Sequence, residues 1–369
     1  MPYPSTWNPI NKSKIWLQRV NIISNDAIEK TVKFRLNCSS KIKPNGQPSH
    51  GDEIRVPSGM RNMQNKDNIT SPLGTLIKGG QVFQQNACVR SFDIDTECKM
   101  STKAIMNYLQ EALLNYSKKA GLQVVRGFGT TPGMLKMDLV WVFRDMRIEV
   151  DQYPGWGDVV QILSWAFTWG MGVRYEWTMN DINNGETLVR ASCLAVMMNN
   201  KTRKACKLPE EVKDEIKAYL TMDADPIVKT QRCPIPRIET MDHIKSGLTP
   251  GWNDLDVNYH VNNAKYVDWI LESTPDWIIY SHELWKINFE YRKECLKDDV
   301  IQSLSRVVTN ETNHLWINGV NRGVELEHVL RLESGIQVLR ARTAWRPSSI
   351  YQPSSRANNN MFHLNGKSG

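Results

Sequence analysis

The sequence predicts an α+β fold in which one arrangement, a long helix wrapped by an antiparallel sheet, occurs twice. In each half of the chain, a segment with apolar residues at helical spacing is followed by several segments that favour strands. Gly, Pro and Asn turns separate these strands. The chain has 369 residues, 41% of them hydrophobic, which is enough to bury two cores of ordinary domain size.

The first predicted module covers residues 81–208. It opens with a strand over residues 82–94, and Ser101 is placed to cap a helix that ends at Gly121. One stripe of this helix is apolar and consists of Ile105, Leu109, Ala112, Leu113, Tyr116 and Ala120. Further strands are expected over residues 138–150, 158–167, 173–179 and 187–199.

The same order recurs in a second module, residues 238–347, after a polar linker over residues 209–237. Its helix is expected from about Asn262 until Pro275 stops it. Strands are expected over residues 285–295, 299–308, 314–317, 324–333 and 337–345. A helix covering one face of an antiparallel sheet, present twice, is a tandem hotdog arrangement. The tail over residues 348–369 is rich in Ser, Asn and Gly and is predicted to be disordered.

The first 80 residues are predicted to be a disordered basic leader. Residues 1–85 hold twelve Lys and Arg but only five Asp and Glu, which accounts for the whole net charge of +7. Nucleic-acid binding is not expected, because neither a binding motif nor interleaved aromatic residues accompany these charges. A basic leader also fits an organellar transit region.

The composition argues against membrane-spanning and metal-binding classes. No stretch approaches eighteen consecutive apolar residues, and Leu139–Phe143 is only long enough for a buried strand. The seven cysteines are scattered, without CxxC pairs or matching His spacing. We therefore expect a reducing compartment, no structural metal and no cofactor.

Chemistry is indicated by a polar cluster just before the second helix, made of Asp256, Asn258 and His260. A helix N-terminus stabilises a developing oxyanion, and a histidine beside a carboxylate and an amide can transfer a proton. Acyl transfer needs these functions. Asp and Asn before a helix are also ordinary N-caps, so the pattern alone leaves a structural role open.

The segment Leu248–Tyr266, with Trp269–Ser273 and Glu290–Cys295, resembles plant acyl-acyl carrier protein (acyl-ACP) thioesterases, and the FatB class in particular. The likeness runs from about Phe83 to Pro347. It implies the tandem hotdog fold, hydrolysis of the thioester of saturated fatty acyl-ACP that ends plastid fatty acid synthesis, and a place in the chloroplast stroma. It also implies that ACP carrying a fatty acyl phosphopantetheine is the partner, and it allows a homodimer.

Glu294 and Cys295 stand where the family's remaining catalytic residues are proposed to lie. Adjacent residues of a strand face opposite ways, so only one of the two can face His260 without a bulge. Glu294 would activate a water, whereas Cys295 would form an acyl-enzyme as an alternative nucleophile. The apolar residues of this segment fall at odd positions, which favours Glu294 as the residue facing the site.

The first module contains the matching loop over residues 94–101 but no histidine, so we expect it to bind the acyl chain. Asp95 and Glu97 are interpreted as solvated turn residues. The resemblance predicts an apolar tunnel lined by Met106, Leu109, Leu113, Tyr116, Phe128 and Met134. Clustered basic residues predict a surface for the acidic carrier at Arg203, Lys204, Lys207 and Arg237.

Four departures from the family pattern leave a second hypothesis open, a catalytically weakened acyl-ACP binding protein. They are Ala195, Gly251, Tyr259 and Asp268. A hotdog dehydratase is a third hypothesis. It is disfavoured because it would place its histidine and acidic residue on separate elements.

Overall fold

A computed structural model describes residues 74–122, 129–222, 225–228, 238–308 and 323–348 of the chain. The predictions for residues 1–73, for the strand over residues 314–317 and for residues 349–369 lie outside these ranges, as do those for Phe128 and Arg237. No helix in the described ranges is long and apolar enough to cross a membrane.

Two half-sheets with the same strand order form the fold. The helices, in chain order, are α1 Thr102–Lys119, α2 Pro132–Met137, α3 Glu210–Ile216, α4 Lys265–Leu271 and α5 Asp276–Ser281. The strands of the first half are β1 Thr75–Ile77, β2 Val82–Cys88, β3 Leu139–Val150, β4 Val159–Trp169, β5 Gly172–Asp181, β6 Thr187–Asn199 and β7 Ala205–Cys206. Those of the second half are β8 His243–Leu248, β9 His282–Tyr291, β10 Ile301–Val307, β11 Val324–Leu332 and β12 Gln337–Pro347.

The half-sheets join edge to edge into one antiparallel sheet. Its order is β1-β2-β4-β5-β6-β3-β9-β12-β11-β10-β8, with β7 paired to β6. The inner edges β3 and β9 pair over five residue positions, from Asp145 opposite Glu290 to Glu149 opposite Lys286. The order β2-β4-β5-β6-β3 in one half matches β8-β10-β11-β12-β9 in the other. The predicted duplication and the α+β fold class are confirmed.

Helix α1 forms as its sequence predicts. The hydroxyl of Ser101 accepts a hydrogen bond from the N–H of Ala104 at 3.1 Å, and Gly121 follows the helix with φ of 74°. Its apolar stripe is buried in the main core, where Ile105 and Ala112 are fully buried. Burying this stripe against the sheet stabilises the first half by hydrophobic transfer.

The second half does not have one long helix. α4 covers only Lys265–Leu271, and the chain then turns before α5. The hydroxyls of Ser273 and Thr274 bond back to the carbonyl of Ile270, at 3.3 and 3.1 Å. Pro275 follows and disfavours helical geometry in the residue before it. The predicted start at Asn262 is also too early, because its side chain accepts from the N–H of Ala264 in the preceding turn.

The ends of the predicted leader and linker contain regular structure. β1 lies within the residues assigned to the leader and pairs with β2 of the first module, and α3 lies within the residues assigned to the linker. Glu210 and Glu211 occupy the first turn of α3, where they complement the partial positive charge of a helix N-terminus. The short β7 and the edge strand β8 were also not predicted.

Candidate active site

The loop that carries His260 is shaped by the carboxylate of Asp256. One oxygen of Asp256 accepts hydrogen bonds from the backbone N–H groups of Asn258, at 2.8 Å, and His260, at 3.1 Å. The N–H of Asp256 donates to the carbonyl of His260 at 2.7 Å, which closes the turn. Tyr259, inside the turn, has φ of 61°, an uncommon conformation for a residue with a side chain. Asp256 therefore holds the backbone of His260 in place.

The oxyanion site expected at the helix N-terminus stays a prediction. α4 begins five residues after His260. Two backbone N–H groups of this region are engaged, because those of Ala264 and Lys265 donate to the side chain and carbonyl of Asn262, both at 3.0 Å. The side chain of Asn258, a residue that lines the cavity described below, also carries an amide that can donate to an oxyanion.

Glu294 reaches the loop because the chain leaves strand β9 early. The backbone N–H groups of Arg292 and Lys293 both donate to the carbonyl of Val338, at 2.9 and 3.1 Å, so regular alternation stops at this point. The following residues pair with the His260 loop, since the N–H of Val261 donates to the carbonyl of Cys295 at 2.9 Å. The alternation of side chains between the two sheet faces ends before Glu294, so it does not determine to which side the Glu294 side chain points.

The side chains of His260 and Glu294 face each other. Nε2 of His260 lies 3.9 Å from one carboxylate oxygen of Glu294, and both side chains are about one-third exposed, at 30% and 35%. The other oxygen of Glu294 accepts a hydrogen bond from the guanidinium of Arg203, which comes from the first half of the chain. A histidine and a carboxylate at this separation can both contact one small molecule.

Cys295 lies on the opposite side of the chain from this pair. It is fully buried, does not line the cavity, and packs in the main core. Burial raises the pKa of its thiol to about 12, and the hydroxyl of Tyr266 offsets only part of this. Because the thiolate is the nucleophile, this environment disfavours attack by sulfur.

A cavity of about 760 Å³ extends from the His260 loop into the first half. This volume is within the range typical of small-molecule pockets. Asp256, Asn258, His260 and Glu294 line one end. The lining also contains apolar and aromatic residues, among them Leu113, Leu114, Tyr116, Val140, Val142, Phe143, Ala166, Tyr175, Ala195 and Val196. The cavity thus joins the polar cluster to an apolar channel.

The predicted tunnel residues separate into two groups. Leu113 and Tyr116 line the cavity. Met106 and Leu109 are buried in the main core, and Met134 is buried in a separate cluster. None of these three residues lines the cavity. The sequence could not distinguish these groups, because a helical apolar stripe contains both core and cavity positions.

Two polar atoms in the cavity lining were not singled out from the sequence. Oδ1 of Asn263 and the hydroxyl of Tyr291 are buried and have no hydrogen-bond partner within the described structure. Such groups are normally paired, so both are available to a substrate or a water. Among the described residues, no cluster of His, Cys, Asp or Glu could hold a metal ion.

The loop of the first half has the same backbone geometry but different side chains. One oxygen of Asp95 accepts from the N–H groups of Glu97, at 2.9 Å, and Lys99, at 3.1 Å, and Cys98 has φ of 61°. Lys99 therefore stands in the position of His260. Its ammonium forms an ion pair with Glu283 at 2.7 Å. Asp95 is exposed, as expected, and its carboxylate also holds the backbone of its loop, as that of Asp256 does.

A tyrosine stands where the second half has Glu294. The carbonyl of Pro154 accepts the N–H of Met100 at 2.7 Å, as that of Cys295 accepts the N–H of Val261. The preceding residue, Tyr153, donates its hydroxyl proton to the carbonyl of Leu284. The duplicated loop therefore lacks both facing groups of the His260 site.

The residues at the four departures from the family pattern leave the site open. Tyr259 is 63% exposed, packs edge-on against Trp252, and does not line the cavity. Asp268 pairs with Lys103 at 2.6 Å, and a side chain at Gly251 would meet ordinary contacts. Ala195 is the one of the four that lines the cavity.

Three of the predicted carrier-binding residues, Arg203, Lys204 and Lys207, lie on the turn between β6 and β7 or just beyond it. Lys204 and Lys207 are exposed. Arg203 lines the cavity, and its guanidinium is paired with the carboxylate of Glu294 in the polar cluster.

Two family models match the chain. Residues 80–216 match the acyl-ACP thioesterase N-terminal domain, and residues 239–347 match the acyl-ACP thioesterase C-terminal domain. The chain is similar to a chloroplastic acyl-ACP hydrolase of Cuphea viscosissima named FATB2, with 44% identity over 280 residues. It is 45% identical over 276 residues to a chloroplastic palmitoyl-ACP thioesterase of Arabidopsis thaliana.

These matches cover 75% and 74% of this chain and 66% of each relative, just under two thirds of their length. Among solved structures, the 12:0-ACP thioesterase of Umbellularia californica is similar, with a TM-score of 0.66 and 40% identity. That match covers 73% of this chain and 95% of the other. The chain therefore belongs to the plant acyl-ACP thioesterase family, in its FatB class.

Proposed function

We propose that the protein hydrolyses the thioester of saturated fatty acyl-ACP to give free fatty acid and ACP. The observation that carries this proposal is the facing pair of His260 and Glu294 at the polar end of an apolar cavity. The acyl chain would occupy the apolar channel, which places its thioester carbonyl beside the polar cluster. The named relatives act on acyl-ACP, which supports the same substrate class here.

In the proposed mechanism, a water hydrogen-bonded to His260 and Glu294 attacks the carbonyl carbon. Glu294 accepts a proton from the water while the imidazole of His260 orients it. The side-chain amide of Asn258 donates to the oxyanion. Collapse of the intermediate breaks the carbon–sulfur bond, and the proton passes to the sulfur. The products are the carboxylic acid and the free thiol of the carrier.

The direct test is release of free thiol from purified saturated acyl-ACP, measured with a thiol-reactive dye. The proposed enzyme releases thiol and fatty acid in equal amounts with many turnovers. Binding of acyl-ACP without turnover would instead support the alternative, a catalytically weakened binding protein. Tyr259 and Asp268 lie outside the cavity lining and do not obstruct it, which supports the enzyme.

Replacing Ala195 with leucine should shorten the acyl chains that the protein accepts. Ala195 lies on β6 and lines the cavity, so a larger side chain takes up room there. We expect kcat/KM for the longest accepted chain to fall by roughly tenfold, with less effect on shorter chains. The measurement is a series of saturated acyl-ACPs of increasing length.

A matched control for this experiment is Ala191→Leu. Ala191 is on the same strand, is fully buried, and belongs to the main core rather than the cavity. It should lower the melting temperature through overpacking and leave chain-length preference unchanged. If Ala195→Leu and the unmodified protein showed the same preference for acyl-chain length, binding of the acyl chain in this cavity would be excluded.

The exposed residues Lys204 and Lys207 are proposed to contact the acidic carrier. Reversing both lysine charges to glutamate should raise KM for acyl-ACP by about fivefold at low ionic strength and less at high ionic strength. The turnover number should stay the same. A KM that does not respond to these changes at low salt would exclude this surface.

The plastid is proposed as the compartment, and the stroma within it, because the relatives are named chloroplastic. Microscopy of a fluorescent fusion to the chain would test this, and signal outside plastids would contradict it. A homodimer stays a prediction. Two hotdog halves within one chain already form the pair that single hotdog domains make by dimerising, and sedimentation would determine the assembly.

A further inference from the structure

Arg203 is held in an unusual backbone conformation on the turn that follows β6. Its φ of 56° is in the left-handed region, which is unfavourable for a residue with a side chain. Asn199 supports this conformation. Its side chain accepts from the N–H of Thr202 at 2.8 Å, and its carbonyl accepts from the N–H of Arg203 at 2.9 Å. The turn therefore fixes the backbone position from which the side chain of Arg203 extends.

The guanidinium connects the two halves of the chain at the polar cluster. One of its nitrogens bonds to an oxygen of Glu294, and another lies 3.4 Å from Oδ1 of Asn200. The second oxygen of Glu294 is the one that lies 3.9 Å from Nε2 of His260. Arg203 and Glu294 both line the cavity.

This arrangement assigns each carboxylate oxygen a separate partner. Glu294 follows the end of β9 and is about one-third exposed, so its side chain would sample several rotamers without a partner. A hydrogen bond from a rigid, planar guanidinium to one oxygen restricts those rotamers. The other oxygen is then directed at His260 and at any water between them.

We propose that Arg203 is a positioning residue for hydrolysis and that it acts by orienting Glu294. This inference rests on the proposed function, because it requires Glu294 to take part in the reaction. It also gives Arg203 a different main role from carrier binding. Its charge is already paired with a carboxylate, so the attraction that it offers to an acidic carrier is reduced.

The first experiment separates turnover from binding in Arg203→Met. We expect kcat for saturated acyl-ACP to fall by about tenfold to a hundredfold, because a misplaced base lowers turnover, while KM changes by less than about twofold. The loss should be the same at low and high ionic strength. Arg203→Lys should recover only part of kcat, because a lysine lacks the planar fork.

Arg190→Met is the matched control. Arg190 lies on β6, forms an ion pair with Asp151, and has the same side-chain exposure as Arg203, 37%, but it does not line the cavity. It should keep full kcat and KM. Circular dichroism and a melting curve for each variant check that the fold is retained.

The second experiment is a double-mutant cycle with Glu294→Ala. If Arg203 acts through Glu294, then Arg203→Met should lower kcat no further in the Glu294→Ala background. An equal loss in both backgrounds would overturn the inference. A folded Arg203→Met variant with unchanged kcat would also overturn it. If that variant showed only a salt-dependent rise in KM, Arg203 would be a carrier-binding residue and not a positioning residue.

The two proposals fail in different ways. Full activity in Arg203→Met with lost activity in Glu294→Ala would reject the positioning role and leave the proposed mechanism intact. Full activity in Glu294→Ala would reject the water mechanism and, with it, the role assigned to Arg203.

Discussion

Replacing His260 with alanine should lower kcat for saturated acyl-ACP by about two to four orders of magnitude. That is the usual contribution of a positioned acid–base group, and the imidazole here faces Glu294 across 3.9 Å. The fold should survive, because the carboxylate of Asp256 holds the loop through backbone N–H groups that alanine retains. Thiol release under saturating substrate measures the effect.

The control for this variant is His243→Ala. His243 is exposed at the start of edge strand β8 and does not line the cavity, so its replacement should leave kcat unchanged. If His260→Ala were folded and as active as the unmodified protein, the polar cluster would have no part in catalysis.

Replacing Glu294 and replacing Cys295 should have opposite consequences. Glu294→Ala removes the proposed base and should lower kcat by about two to four orders of magnitude. Cys295→Ala should keep turnover, because the thiol is buried, its pKa is raised to about 12, and it does not line the cavity. It should instead cost about 1 kcal/mol of stability through the small void that it leaves.

Both variants are assayed for kcat at several pH values and for unfolding by denaturant. Glu294→Gln, which keeps the shape of the side chain but cannot accept the proton in the same way, should behave like Glu294→Ala in turnover. Loss of activity in Cys295→Ala together with normal turnover in Glu294→Ala would establish the acyl-enzyme route and reject the water route.

Local patterns predicted the elements of this fold that local chemistry determines. Helix α1 has a serine cap, an apolar stripe and a terminal glycine, and it lies where these signals placed it. Strand β6 has the predicted bounds, Thr187–Asn199. The second helix was overestimated, because the hydroxyls of Ser273 and Thr274 bond to the carbonyl of Ile270 and compete with the helix before Pro275 is reached.

The candidate site was predicted in part. The sequence pointed to His260 and to the choice between Glu294 and Cys295. The preference for Glu294 over Cys295 agrees with where the two side chains lie. The alternation from which it was drawn does not extend that far, because strand β9 ends at Tyr291 and the bonds of Arg292 and Lys293 to one carbonyl redirect the chain. No local pattern contains that carbonyl, which belongs to a residue more than forty positions later. The contact of Arg203 with Glu294 depends on tertiary structure in the same way.

The pairing of the inner edge strands limits how a substrate can reach the cavity. β3 and β9 are joined by backbone hydrogen bonds along the seam between the two halves, so a hinge motion that swings the halves apart would have to break that ladder. Loops and side chains can move without this cost. We therefore expect the seam to stay closed throughout the catalytic cycle, and the acyl chain to be admitted by side-chain movements at the cavity, on a faster timescale than domain opening.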